Sequence, residues 1–159
     1  MKLKRILIYF LIFASGIALD QIVKRLTVLY LKPISTVDIW EGVFRLRYCE
    51  NTGAAFSMFE GARWFFIILT SVVIIAIAFI LVTDKANGAL ARYTLLFIAT
   101  GGAGNLIDRI LHGYVVDMFD FYLINFAVFN IADIFITCSS VLFIITFIIK
   151  KGDVIVWKK

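Results

Sequence analysis

From Trp64 to Val82 the sequence carries no charge and only two hydroxyl side chains, Thr70 and Ser71, with Arg63 before the run and Asp84-Lys85 just beyond it. Crossing a hydrocarbon layer of roughly 30 Å takes about 20 apolar residues wound as a helix, so this run is long enough to cross. Inside lipid the backbone must satisfy its own hydrogen bonds, which leaves helices and closed barrels as the only spanning structures. Barrel strands alternate apolar and polar residues. This run is continuous and rich in Ile, Leu and Phe, so a bundle of membrane helices is predicted. The composition agrees: 62% hydrophobic, 17% charged and a single proline lie outside the range of ordinary soluble domains.

Three further runs read as spans, at about residues 6–31, 91–111 and 127–149, in addition to 64–82. The expected fold is therefore an integral membrane, mainly α protein with four transmembrane helices, forming one membrane-embedded domain over residues 1–159. The first run opens like a secretory signal, after Lys2, Lys4 and Arg5. It continues past Ala14-Ser15-Gly16 without a small-residue cleavage site, so a retained helix is expected. Four spans put both termini on one side. The basic N-terminal tail, Lys85, Arg92 and Lys150, Lys151, Lys158 and Lys159 favour the cytoplasm for that side, against Lys24, Arg25, Lys32, Arg45, Arg47, Arg63 and Arg109 on or near the other. Between the first two spans, at about residues 32–61, Thr36–Trp40 and Val43–Tyr48 alternate as strands do, which predicts a small extracytoplasmic sheet on the bilayer surface.

The net charge of +5 is scattered and gathers at segment ends, which fits membrane topology and not a nucleic-acid partner. Cys49 lies in the first polar connection and Cys138 inside the last run, so no disulfide framework is expected. One histidine, His112, and no His/Cys cluster leave a zinc site without its usual ligands.

Two aspartates stand near the outer end of the last span: Asp117 in the connection before it and Asp133 about one turn inside it. An ionised Asp at the centre of a membrane helix costs roughly 2.5–3.5 kcal/mol, so such groups are kept with compensation or a function. A chain reversal between them would bring the carboxyls together. Two neighbouring carboxyls in a low-dielectric site share one proton, and such a pair can activate water with one member while polarising a carbonyl with the other. The alternative is that Asp117 is a loop residue or helix cap and Asp133 a packing group. Asp120, three residues after Asp117, is a competing partner but fits a solvated loop at least as well, so it is left outside the pair. Asn130 shares a helix face with Asp133 and can either bind a carboxyl or cap the span.

Asn105, Asp108 and Arg109 form a polar group at the outer end of the third span, where Arg109 is expected to pair with Asp108 or a lipid phosphate. Gly101-Gly102-Ala103-Gly104 before it lets neighbouring backbones approach. Asp20 and Lys24, at i,i+4 on the first helix, read as a structural pair. Asn51-Thr52-Gly53-Ala54-Ala55-Phe56 is either a small-residue surface for a peptide or lipid chain or a plain turn.

Taken together in chain order, these segments resemble the lipoprotein signal peptidases, or signal peptidase II, bacterial membrane aspartyl proteases. The likeness rests on Asp20-Gln21-x-x-Lys24, Asn51-x-Gly53-Ala54-Ala55-Phe56-Ser57, Gly101-Gly102-x-Gly104-Asn105-Leu106-Ile107-Asp108-Arg109, Val115-Val116-Asp117 and Phe129-Asn130-x-Ala132-Asp133. It implies that Asp117 and Asp133 are the catalytic dyad, and that Asn51, Gly53, Asn105, Arg109, Asn130 and Ala132 bind substrate or support the site. Asp20, Lys24 and Asp108 would be supporting polar residues. It further implies a diacylglyceryl-modified prolipoprotein as substrate, cut just before the lipid-modified cysteine. The setting would be the bacterial cytoplasmic membrane, with the site toward the extracytoplasmic face, membrane lipids and substrate as partners, a monomeric chain and no metal or organic cofactor. A small proton-coupled transporter is the rival reading, since membrane aspartates also relay protons. A purely structural subunit is a further one.

Overall fold

The computed structural model describes residues 2–53 and 58–156. Its elements in chain order are α1 (Lys2–Leu26), β1 (Thr36–Trp40), β2 (Phe44–Asn51), α2 (Arg63–Val82), α3 (Ala89–Leu111), β3 (Val115–Asp120) and α4 (Ile131–Ile149). A widened helical turn, Thr27–Leu31, prolongs α1, and one tight turn, Tyr122–Ile124, follows β3.

The helices fall where the apolar runs placed them, with one adjustment. Residues 127–130 are not helical: Phe129 pairs with Phe119 beside the sheet, and α4 starts at Ile131. Asn130 stops the helix from extending backward, because it is extended and its side chain accepts the Asp133 N–H at 3.0 Å. Among the described residues three helical stretches are long and apolar enough to cross a membrane, Leu3–Leu31, Arg63–Val82 and Ile131–Ile149. Their outward faces stay apolar, with Ile68, Ile75 and Ile148 more than 60% exposed. Water would not tolerate so continuous an apolar surface, whereas lipid does.

The polar residues of α3 lie inward. This helix packs against α1, α2 and α4 and buries Thr94, Thr100, Asn105, Asp108 and Arg109 together with Leu95, Leu96 and Ala99. Its glycines allow the approach: a Cβ at Gly101 would run into the Ala132 carbonyl oxygen, and one at Gly104 would lie 2.5 Å from Asp20 Oδ2. The small-residue expectation is thereby met at the α3–α4 crossing.

The sheet is antiparallel with the order β1-β2-β3. Its first hairpin lies where the alternation put it. The third strand, Val115–Asp120, corrects the reading of that stretch as a loop. It pairs with β2 in the register Cys49↔Asp117 and Asn51↔Val115, and a bulge between Leu46 and Cys49 bends the ladder. Val116 and Met118 bury one face of β3 against Leu31, Val23 and Val28, which seats the sheet on the end of α1. Asp120 is also not the solvated residue expected, since it is 3% exposed and takes a 2.7 Å ion pair from Arg45.

Candidate active site

Asp117 and Asp133 reach the same place from different elements. Asp117 stands on β3, whose pairing with β2 sets it opposite Cys49 and near Asn51. Asp133 stands in the first turn of α4, where a reciprocal cap fixes it: the Asn130 N–H donates to Asp133 Oδ2 at 3.1 Å while the Asn130 side chain accepts from the Asp133 N–H. Asn130 then joins the two carboxyls. Its Nδ2 donates to Asp117 Oδ1 at 2.6 Å and to Asn105 Oδ1 at 3.1 Å. Both of the roles weighed for Asn130 are therefore filled by one side chain.

The remaining oxygens are also bound. Asn51 Nδ2 donates to Asp117 Oδ2 at 2.9 Å, and Asn105 Nδ2 donates to Asp133 Oδ1 at 2.7 Å. Burial pushes the Asp117 carboxyl up to about 7, the charge of Asp133 pushes the same way, and the Asn51 and Asn130 amides oppose both. A carboxyl of this kind holds its proton near neutral pH and can exchange it, which is what acid–base work at that pH needs.

A cavity of about 310 Å³ between the sheet and the end of α1 is lined mostly by apolar side chains, Val23, Leu31 and Met118 among them, with Thr27 and Tyr30 beside these. The cavity beside the carboxyls, about 280 Å³, is lined instead by both polar side chains, Asn51, Asn105, Arg109 and Asp133, and apolar ones that include Val128, Phe129 and Ile136. Asp117, 1% exposed, is joined to those polar side chains through Asn51.

Arg109 corrects an expected pairing. It does not meet Asp108; its Nη2 donates to the Gly53 carbonyl at 2.8 Å and its guanidinium lies 4.7 Å from the Phe66 ring centre. Gly53 is held as well by Asn51, whose Oδ1 accepts the Gly53 N–H at 2.9 Å. Ala54–Ser57, the rest of that segment, lie outside the described residues. Asp108 pairs with Lys24 at 3.0 Å, and Lys24 also meets Asp20 at 3.0 Å, so the Asp20–Lys24 pair read on α1 extends to a third member. Lys24 and Asp108 stand 84 residues apart, and no local spacing could have joined them. Ala132 is fully buried, its N–H turned toward Asp20. Among the described residues no group of His, Cys, Asp and Glu has an arrangement suited to a metal.

A helical membrane-type protein with a buried carboxyl, Asp117, linked through one asparagine to a half-buried one, Asp133, at one end of its bundle is the class that fold and site define. Comparison with known proteins makes it specific. A family model described as signal peptidase (SPase) II matches residues 12–149. A lipoprotein signal peptidase of Brevibacillus brevis is 43% identical over 129 residues, covering 81% of this chain and 87% of the relative. One from Lactococcus lactis subsp. lactis is 41% identical over 145 residues, covering 91% and 96%. A solved bacterial membrane enzyme superposes with a TM-score of 0.83 at 27% identity, covering 91% of this chain and 90% of that one. The chain belongs to the signal peptidase II family. It is an aspartic peptidase of the bacterial membrane, of a family that removes signal peptides from prolipoproteins, and the transporter reading falls away.

Proposed function

We propose that this chain cleaves diacylglyceryl-modified prolipoproteins just before the lipid-modified cysteine, using Asp117 and Asp133 as a dyad that activates water. Asn130 carries this reading, because one side chain binds Asp117 at 2.6 Å while capping the turn that holds Asp133. With one proton shared, the ionised carboxyl takes a proton from water as the water attacks the scissile carbonyl, and the protonated one polarises that carbonyl. The proton taken from water then passes to the leaving amine. The family's substrates support the prolipoprotein assignment.

Asn51, Asn105 and Asn130 set the two carboxyls, Arg109 and Gly53 shape the wall along which the peptide lies, and Ala132 supplies a side chain small enough for the α3–α4 crossing. The acyl chains lie along the apolar side chains of the cavity, toward α4. The single domain crosses the membrane four times with both termini in the cytoplasm, the sheet and dyad at the extracytoplasmic face, and acts as a monomer. Crowding of basic residues at the chain's ends supports that orientation.

The test is cleavage of a diacylglyceryl prolipoprotein by the purified chain. Asp117→Asn and Asp133→Asn are each expected to fold and to lose turnover by at least about 10³-fold, the scale on which acid–base partners act. Normal turnover by either variant would sink the dyad.

A further inference from the structure

We propose that Lys24, with Asp20 and Asp108, is a positioning residue for the peptidase reaction, holding the backbone from which each dyad carboxyl projects and orienting the amide of Asn105. This rests on the dyad reading above. The three side chains belong to α1 and α3, and none touches Asp117 or Asp133 by a hydrogen bond. Their reach, however, goes to both.

Asp20 Oδ1 accepts the N–H of Ala132 at 3.0 Å, the residue immediately before Asp133. Asp108 Oδ2 accepts the N–H of Val116 at 3.1 Å, the residue immediately before Asp117. One buried carboxylate thus anchors each strand or helix at the step preceding the reactive side chain. Two such carboxylates in one buried cluster repel each other, and Lys24 Nζ lies 3.0 Å from each. Gln21 Nε2 bridges them from the side, at 3.2 Å to Asp20 and 3.0 Å to Asp108.

The third proton of the ammonium goes to Asn105 Oδ1 at 2.9 Å, so all three donors are used. That contact decides which way the Asn105 amide faces. Its oxygen meets two donors, Lys24 and Asn130 Nδ2, and its Nδ2 is left for Asp133 at 2.7 Å. Turned over, the amide would set its N–H groups against two donors and its oxygen against a carboxyl. The bare Cα of Gly104 completes the arrangement, because a side chain there would meet Asp20 Oδ2 at 2.5 Å. A tie meant only to join α1 to α3 would have no need to engage β3 and α4 at these two backbone positions.

The experiment uses the full chain and a diacylglyceryl prolipoprotein, with kcat and KM measured on the monodisperse folded fraction. Lys24→Met is expected to lower kcat roughly 10²-fold, as a misplacement of about 1 Å does, with KM within about twofold. Asp108→Asn is expected to lower kcat at least about tenfold with the same split, since it weakens the hold on Val116 and removes one of the two ion pairs of Lys24 while leaving the Asp20–Ala132 contact in place. Wild-type kcat in the folded fraction of either variant overturns the proposal. So does a rise in KM without a fall in kcat. If Lys24→Met yields no folded protein, Asp108→Asn decides by the same criteria, and failure of both to fold assigns the trio to the frame alone and overturns the proposal. Turnover by Asp117→Asn, or none by the wild-type chain, overturns the dyad reading instead and is determined first.

Discussion

Asn130 closes the amino end of α4 and binds Asp117 with the same side chain, so the start of a helix and the spacing of two carboxyls are one structural fact. The i,i+3 relation of Asn130 to Asp133 was legible in the sequence because it is local. The partners of Lys24, Asp108 and Arg109 were not, because each is set by packing between elements distant along the chain. Asp117 shows what that packing does electrostatically. Its carboxyl ordinarily titrates near 3.8 and is pushed up to about 7, by burial first and the charge of Asp133 second. Folded, it therefore keeps a proton that the unfolded chain releases above about pH 4. Stability falls as pH rises between those values and levels off above about 7. Thermal unfolding of the detergent-solubilised chain is expected to show this fall, and Asp117→Asn to flatten it; an unchanged slope in the variant would contradict the shift. The same ionisation removes the dyad's last proton, so kcat/KM should decline above about pH 7 in a pH–rate profile.

Among the elements, hydropathy made the helices legible, and the end of α2 at Val82 was read directly from it. The strand β3 was not legible. Its six residues pair with β2 across a separation that includes two helices, and a short apolar segment beside polar ones looks equally like a loop. The glycine cluster of α3 was readable as a close crossing, but only the structure distinguishes its members. At Gly101 an added methyl meets the rigid Ala132 backbone, whereas at Gly102 it meets Thr70 and Ile74 side chains at 3.4–3.7 Å, ordinary contact distances. Gly101→Ala is therefore expected to destabilise by about 2 kcal/mol through overpacking. Gly102→Ala should be neutral or stabilising, by up to about 1 kcal/mol of helix propensity. Thermal unfolding of the two variants in the same detergent checks the contrast, and equal losses would refute it.

For the molecule as a whole, polarity is divided between the two ends of an apolar body. One end carries the carboxyls, asparagines and sheet; at the other, Asp84 pairs with Arg5 at 2.6 Å and Arg92 at 3.2 Å. The cavity beside the carboxyls belongs to the first end yet has apolar side chains along its wall, with Ile136 a turn beyond Asp133 on α4. A peptide alone would gain little from that wall. An acylated one gains roughly 0.8 kcal/mol for each methylene kept in lipid, and its scissile bond is held at the membrane boundary without a search through solution. The proposed function thus requires the lipid for positioning as well as for delivery. Purified enzyme in proteoliposomes is expected to process the diacylglyceryl prolipoprotein with kcat/KM at least about 10²-fold above that for the unlipidated precursor, which corresponds to about 3 kcal/mol of transition-state stabilisation. Equal rates for the two substrates would mean that the apolar side chains and the membrane contribute nothing to the reaction, and the lipid part of the assignment would fall while the dyad stood.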